Sequence, residues 1–168
     1  MRQFSKVLGS TMILLVTCII FAGQGIPAAA AGSEAVRSGA PAKAIFDVRI
    51  GQPLSAANHL TLIYQTYKDL KEAGKMPEFV VVFIGPSVKL ISTAREGFAG
   101  NELKSLNDIA HTVAAMAKDG IRIEICMVAA KAFHVDPVSV LPEIQKVPNG
   151  WISLIDYQTR GYALVPAY

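Results

Sequence analysis

The chain is short of the residues that would hold a metal or a disulfide framework. Only two of its 168 residues are cysteines, Cys18 and Cys126, and a pair so placed builds no framework of disulfides. Three histidines occur; His134 has only Asp136 close in sequence, and with no second histidine nearby the ligand count is too low to argue zinc. No cofactor is called for. Charged residues make up 17% of the chain and form no basic run, which argues against a nucleic-acid partner. There is no P-loop, no G-x-G-x-x-G, no G-x-S-x-G and no internal repeat, so the common nucleotide and hydrolase readings lose their support.

Long apolar runs are also lacking. The longest, Val7 to Ala22, is interrupted by small polar residues and at about 1.5 Å per residue reaches roughly 24 Å, short of a ~30 Å hydrocarbon core. With the cations Arg2 and Lys6 before it and Ala28, Ala29 and Ala30 after it, it reads as a cleaved secretory signal over residues 1–31. A retained anchor is one rival. Lipidation at Cys18 is another, opposed by the bulky Thr17 before it and the apolar residues that continue to Ala22. The expected product is periplasmic, with no stable membrane insertion after cleavage.

Removal of the first 31 residues leaves about 137, enough for one domain that buries its own core. It takes the basic count from 16 to 14 against 13 acids, so the formal charge falls from +3 to +1. It also leaves Cys126 as the lone cysteine, a buried thiol, an intermolecular bridge or a reactive group.

Residues 32–42 are small and unpatterned, a flexible lead-in. From residue 43 the pattern predicts a strand to Ile50, with Ile45, Phe46, Val48 and Ile50 apolar. Ser55 is expected to cap a helix with Leu60, Ile63, Tyr67 and Leu70 on one face, stopped by Gly74. His59 and Asn58 belong to its surface. Phe79 to Ile84 is a continuous apolar run, the mark of a central parallel strand covered on both faces. Ser87 to Ile91 is expected to form a short helical turn carrying Lys89, followed by a looser stretch with Arg95. Asn101 is expected to cap the next helix, with Leu103, Leu106, Ala110, Val113 and Ala117 inward and His111 outward, and Gly120 to end it. His134 and Asp136 read as loop or helix-end residues. Glu143 to Val147 reads as a short strand, Asn149-Gly150 as a turn, Trp151 to Tyr157 as a helix ended by Gly161, and Tyr162 to Val165 as the last strand.

The stretch IRIEICMVAA, residues 121–130, organises this pattern. Ile121, Ile123 and Ile125 alternate with Arg122 and Glu124, the period of a strand, and helix formers follow at Met127, Ala129 and Ala130. Cys126 is therefore expected at a strand's carboxyl end and beside a helix start, the ligand side of an α/β sheet. Two readings stand from placement alone, a reactive thiol and a small apolar residue filling the core. The predicted fold is α/β, built on β-α-β-α-β with right-handed crossovers.

With the segments GPSVKLI after the second strand and VPNGWISLIDYQTRGYALVP at the end, the chain from about residue 43 to residue 168 resembles the DsrE/DsrF-like family. The resemblance implies a three-layer α/β/α domain with a mainly parallel five-stranded sheet, assembled as a homo-oligomer, a trimer or a hexamer. It implies sulfur carried as a persulfide on the cysteine matching Cys126, between a sulfur donor and a sulfur acceptor protein. The export signal sets this chain apart from the family's cytoplasmic relays and points away from work on tRNA. A thiolate is the attacking form, and a helix N-terminus or a nearby cation favours it. Lys89 or Arg95 is the expected cation. Against this reading, a sulfur carrier or sulfurtransferase-like protein, stands a non-catalytic oligomeric ligand- or protein-binding module in which Cys126 is packed.

Overall fold

The computed structural model describes residues 41–168. The signal reading, Cys18 and most of the lead-in lie outside them. Five strands pair side by side, all in parallel, in the order β4-β3-β2-β1-β5: β1 Lys43–Val48, β2 Glu78–Phe83, β3 Arg122–Cys126, β4 Gln145–Val147 and β5 Ala163–Ala167. β2 holds the middle because its apolar run has no polar face to offer water. Val80, Val81, Val82 and Phe83 are all buried, as a strand with helices on both sides requires.

Side-chain alternation divides the sheet into two faces. One face carries Phe46 and Phe79, whose rings lie 5.0 Å apart; Tyr67 of helix α1 (Pro53–Glu72) closes on Phe79 at 5.5 Å. Helix α2 (Leu103–Lys118) lies beside α1, where Tyr67 donates to the Asp119 carbonyl and Tyr64 to the Asp119 carboxylate, each at 2.8 Å. The opposite face carries Asp47, Val82 and Glu124 in register and is covered by helix α4 (Gly150–Thr159), from which Tyr157 reaches Glu124. The layers are therefore α/β/α. A six-residue helix α3 (Met127–Ala132) follows β3 directly. Among the described residues no helix is long and apolar enough to cross a membrane.

Two carboxylates sit inside this α4 face. Asp47 is 2% exposed and Glu124 is 1% exposed, and each is paired with the arginine two residues along or before it, on the same side of its strand. Arg122 Nε donates to Glu124 Oε1 at 2.6 Å and the Tyr157 hydroxyl donates to the same oxygen at 3.2 Å. Burial holds Tyr157 protonated above the ordinary tyrosine range, so it keeps that proton to give. Glu124 Oε2 is buried without a partner among the described residues.

Several boundaries differ from expectation for identifiable reasons. α1 starts at Pro53 rather than after Ser55, because proline at the first turn presets φ and needs no N–H bond; the Gln52 carbonyl accepts Ala56 N–H at 3.0 Å. Asn101 lies within a single 3₁₀ turn, Gly100–Glu102, and the Glu102 carboxylate accepts Ala99 N–H at 2.7 Å in its place. The buried face of α2 is Ser105, Leu106, Ile109, Val113 and Met116. The stripe is rotated from Leu103 and the alanines because seating Ile109 and Met116 removes more apolar area from water. Asn149-Gly150 is a helix start rather than a turn, with the Asn149 side chain accepting Trp151 N–H at 3.0 Å. β5 runs on through Pro166 to Ala167. Proline is tolerated because β5 is an edge strand.

Candidate functional site

Parallel strands all point their carboxyl ends one way, and here three neighbours deliver residues to one cleft. β1 ends before Arg49, β2 before Ile84 and Gly85, and β3 at Cys126. With Asn149 and Trp151 from the start of α4, these residues line a cleft of about 330 Å³. It lies outside the strand ends, where open α/β sheets take their ligands. The loop under it is fixed by Ser87, whose hydroxyl donates to the Val48 carbonyl at 2.7 Å and the Ile84 carbonyl at 3.0 Å. Gly85 starts that loop at φ +66°, a conformation that glycine takes without steric penalty.

Cys126 closes β3 and precedes α3, as its surroundings in the sequence predict. It is 3% exposed, so its contact with solvent is through the cleft. Gly150 stands directly over it. A Cβ on Gly150 would lie 2.9 Å from Cys126 Cβ and 3.0 Å from Ile84 Cδ1, so only glycine lets α4 approach the cysteine this closely.

The cation at the cleft is Arg49. Its Nε donates to both oxygens of Asp47, at 3.0 and 2.9 Å, and Nη2 lies 2.9 Å from Asp47 Oδ2. The Trp151 and Tyr168 rings stand 5.9 and 5.8 Å from its guanidinium carbon, within cation–π range. The hydrogen bond with Asp47 raises the Arg49 pKa above the ordinary arginine range, against a smaller lowering by burial, and the field of Cys126 reaches it too. Lys89 and Arg95 do not line this cleft. Lys89 rides over the Phe98 ring at 5.9 Å and Arg95 Nη1 donates to the Ser92 carbonyl at 2.6 Å.

Lys89 lines a separate cleft of about 200 Å³ whose other polar residues are Ser92, Glu96, His134, Asp136 and Ser139 and whose apolar wall includes Phe98 and Phe133. His134 takes φ +56° there because it ends α3: Val135 N–H returns to the Ala130 carbonyl at 2.8 Å and His134 N–H to the Lys131 carbonyl at 3.2 Å, a Schellman closure with histidine in the usual glycine place. His59 lies on a third surface, where its Nδ1 meets the Ser55 carbonyl at 2.8 Å. Neither histidine lines the Cys126 cleft. Arg49, Asp47 and Gly150 escaped sequence reasoning. Asp47 in the middle of an apolar strand, with Arg49 on the same side two residues on, was the signal available.

Residues 43–166 match the DsrE/DsrF-like family, and the chain belongs to it. An uncharacterized protein of Aquifex aeolicus (strain VF5) is 28% identical over 127 residues; these are 75% of this chain and 56% of that protein. The chain thus spans little more than half the length of that curated relative. Two solved structures share the fold. One is a protein of unknown function, MTH1491 from Methanobacterium thermoautotrophicum, at TM-score 0.58 and 16% identity, covering 73% of this chain and 96% of that one. The other is the ychN protein of E. coli, at TM-score 0.50 and 11% identity, covering 74% and 98%. Membership of the family suggests a fold related to sulfur relays.

Proposed function

We propose that the protein is a periplasmic sulfur carrier, with sulfane sulfur held as a persulfide on Cys126 and passed from a donor to an acceptor. The observation that carries this reading is the position of Cys126, at the end of β3 and against a cleft open at the sheet's carboxyl edge. In the loading step the Cys126 thiolate attacks the outer sulfur of thiosulfate. The new S–S bond forms as the thiosulfate S–S bond breaks, and sulfite leaves with the electron pair, so charge and sulfur both balance. A polysulfide dianion reacts alike and leaves one sulfur shorter. Unloading is attack by an acceptor thiolate on the outer sulfur, which returns Cys126 as the thiolate.

Intact-mass analysis of the exported protein tests export and loading together. The expected chain begins near Ala31 or Gly32 and gains mass in units of one sulfur after incubation with polysulfide, while Cys126→Ser gains none. Serine keeps the size and lacks a readily ionised nucleophile. Wild type that stays unloaded under donor excess, with the thiol reduced, rejects the carrier reading. A retained Met1 rejects export.

The near-complete burial of Cys126 favours the second reading, a binding module with a structural cysteine. It predicts no loading in the wild type and a destabilised Cys126→Ser, because a hydroxyl buried without a partner costs about 1–3 kcal/mol. In either case the protein is proposed to act as a homo-oligomer, a trimer or a hexamer. Support comes from the outer side of α4, where Trp151, Ile152 and Ile155 are 59%, 63% and 63% exposed, an apolar surface of the kind that marks interaction sites. Light scattering at micromolar concentration is expected to give a multiple of the chain mass; a monomer mass removes the proposal.

A further inference from the structure

We infer that Arg49 selects the donors that reach Cys126, admitting small anionic sulfur compounds through the end of its guanidinium that Asp47 leaves unoccupied. This rests on the sulfur-carrier reading for the kind of anion, and on geometry for the selection itself. The loading step gathers a thiolate and a dianion in one cleft, three negative charges within bonding distance. A positive group must face them. Of the residues lining the cleft, Arg49 is the cation.

Asp47 fixes that cation without using all of it. The carboxylate occupies Nε and Nη2, while Nη1 has no hydrogen-bond partner among the described residues. Guanidinium donors form a rigid fork, so a carboxylate seated along one side orients the remaining end. Asp47 is itself buried and in register with Val82 of the central strand, an anchor with little freedom to swing. The Trp151 and Tyr168 rings lie within cation–π range of the guanidinium carbon. The residue is thus a positioning and selecting group for Cys126 chemistry. Neutral thiol reagents need no such group; anionic ones do.

The test uses two alkylating reagents of nearly equal size and opposite demand, iodoacetate and iodoacetamide, on the native protein. Rates at Cys126 are read by mass at a pH where each variant's rate has levelled off, so that thiol ionisation drops out of the comparison. Arg49→Gln is expected to lower the iodoacetate-to-iodoacetamide rate ratio about tenfold, the scale of one lost charged hydrogen bond. That variant leaves Asp47 buried without its cation, held only by the Tyr168 hydroxyl at 3.3 Å, and is at risk of unfolding. The double variant Asp47→Asn with Arg49→Gln removes both charges at similar shape, and the same fall is expected there. A ratio unchanged in the folded double variant overturns the inference, as does failure of both reagents to label the native wild type. Polysulfide loading of the wild type, measured separately, decides the carrier reading: loading with an unresponsive ratio defeats only the role of Arg49, and a responsive ratio without loading defeats only the sulfur.

Discussion

Arg122→Ala is expected to destabilise the fold by about 3 kcal/mol or more, the scale of leaving one partner of a buried ion pair uncompensated. The pair is lopsided: the Arg122 side chain is 46% exposed and that of Glu124 is 2% exposed. Seen from the arginine it is a surface contact, and surface pairs contribute ~1 kcal/mol or less. The carboxylate decides otherwise. Among the described residues its Oε2 lacks a partner and its Oε1 relies on Arg122 and Tyr157, so removal of the guanidinium leaves one hydrogen bond of 3.2 Å there to support a buried charge. Replacing both residues by apolar side chains of similar volume, Arg122→Met with Glu124→Leu, is expected to recover most of the loss. Urea unfolding followed by circular dichroism measures both, with an unchanged slope as the sign that the transition stays two-state. A loss below about 1 kcal/mol for Arg122→Ala would mean that water reaches Glu124.

Gly150→Ala is the second large effect, and its sign runs against helix propensity. Alanine in place of glycine ordinarily favours a helix by up to about 1 kcal/mol, and Gly150 has no positive φ to protect. Yet the added Cβ would stand 2.9 Å from Cys126 Cβ and 3.0 Å from two atoms of Ile84. The end of Ile84 can turn away. The Cβ of Cys126 is fixed to a strand inside the sheet and cannot, so α4 must lift at a cost of about 1–3 kcal/mol, the range of overpacked cores. Cys126→Gly in the Gly150→Ala background is expected to return part of that loss, a coupling of at least about 0.5 kcal/mol for residues in contact. Thermal or denaturant midpoints of the four proteins in the cycle provide the measurement. Additive losses would place the strain elsewhere.

The residues that carried the fold in the sequence were those whose pattern has one physical solution. The apolar run of β2 has no place except mid-sheet, and Ile121 to Cys126 alternates as a strand must. The α/β class and the place of Cys126 followed from these. Helix starts were less legible, because capping competes with proline, with 3₁₀ turns and with side chains such as Glu102 that reach back from within the turn. The cleft was least legible of all. Lys89 and Arg95 follow the neighbouring strand, and nothing in the linear order says that their loop folds over toward His134 and Asp136 instead. Arg49 sits 77 positions from Cys126 in the numbering and meets it only because β1 and β3 both flank β2, a sheet order that local periodicity does not specify.

The proline of β5 bears on how this sheet behaves in company. Arg49 N–H donates to the Ala167 carbonyl at 3.0 Å, so Ala167 faces β1 and Pro166, one residue before it, faces away. The outward rim of β5 therefore lacks a donor in its last turn of pleat, and the opposite rim is a strand of three residues, Gln145–Val147. Neither rim offers a neighbour the unbroken ladder that recruits foreign strands or seeds fibrils. Extension of the sheet from molecule to molecule is disfavoured at both rims.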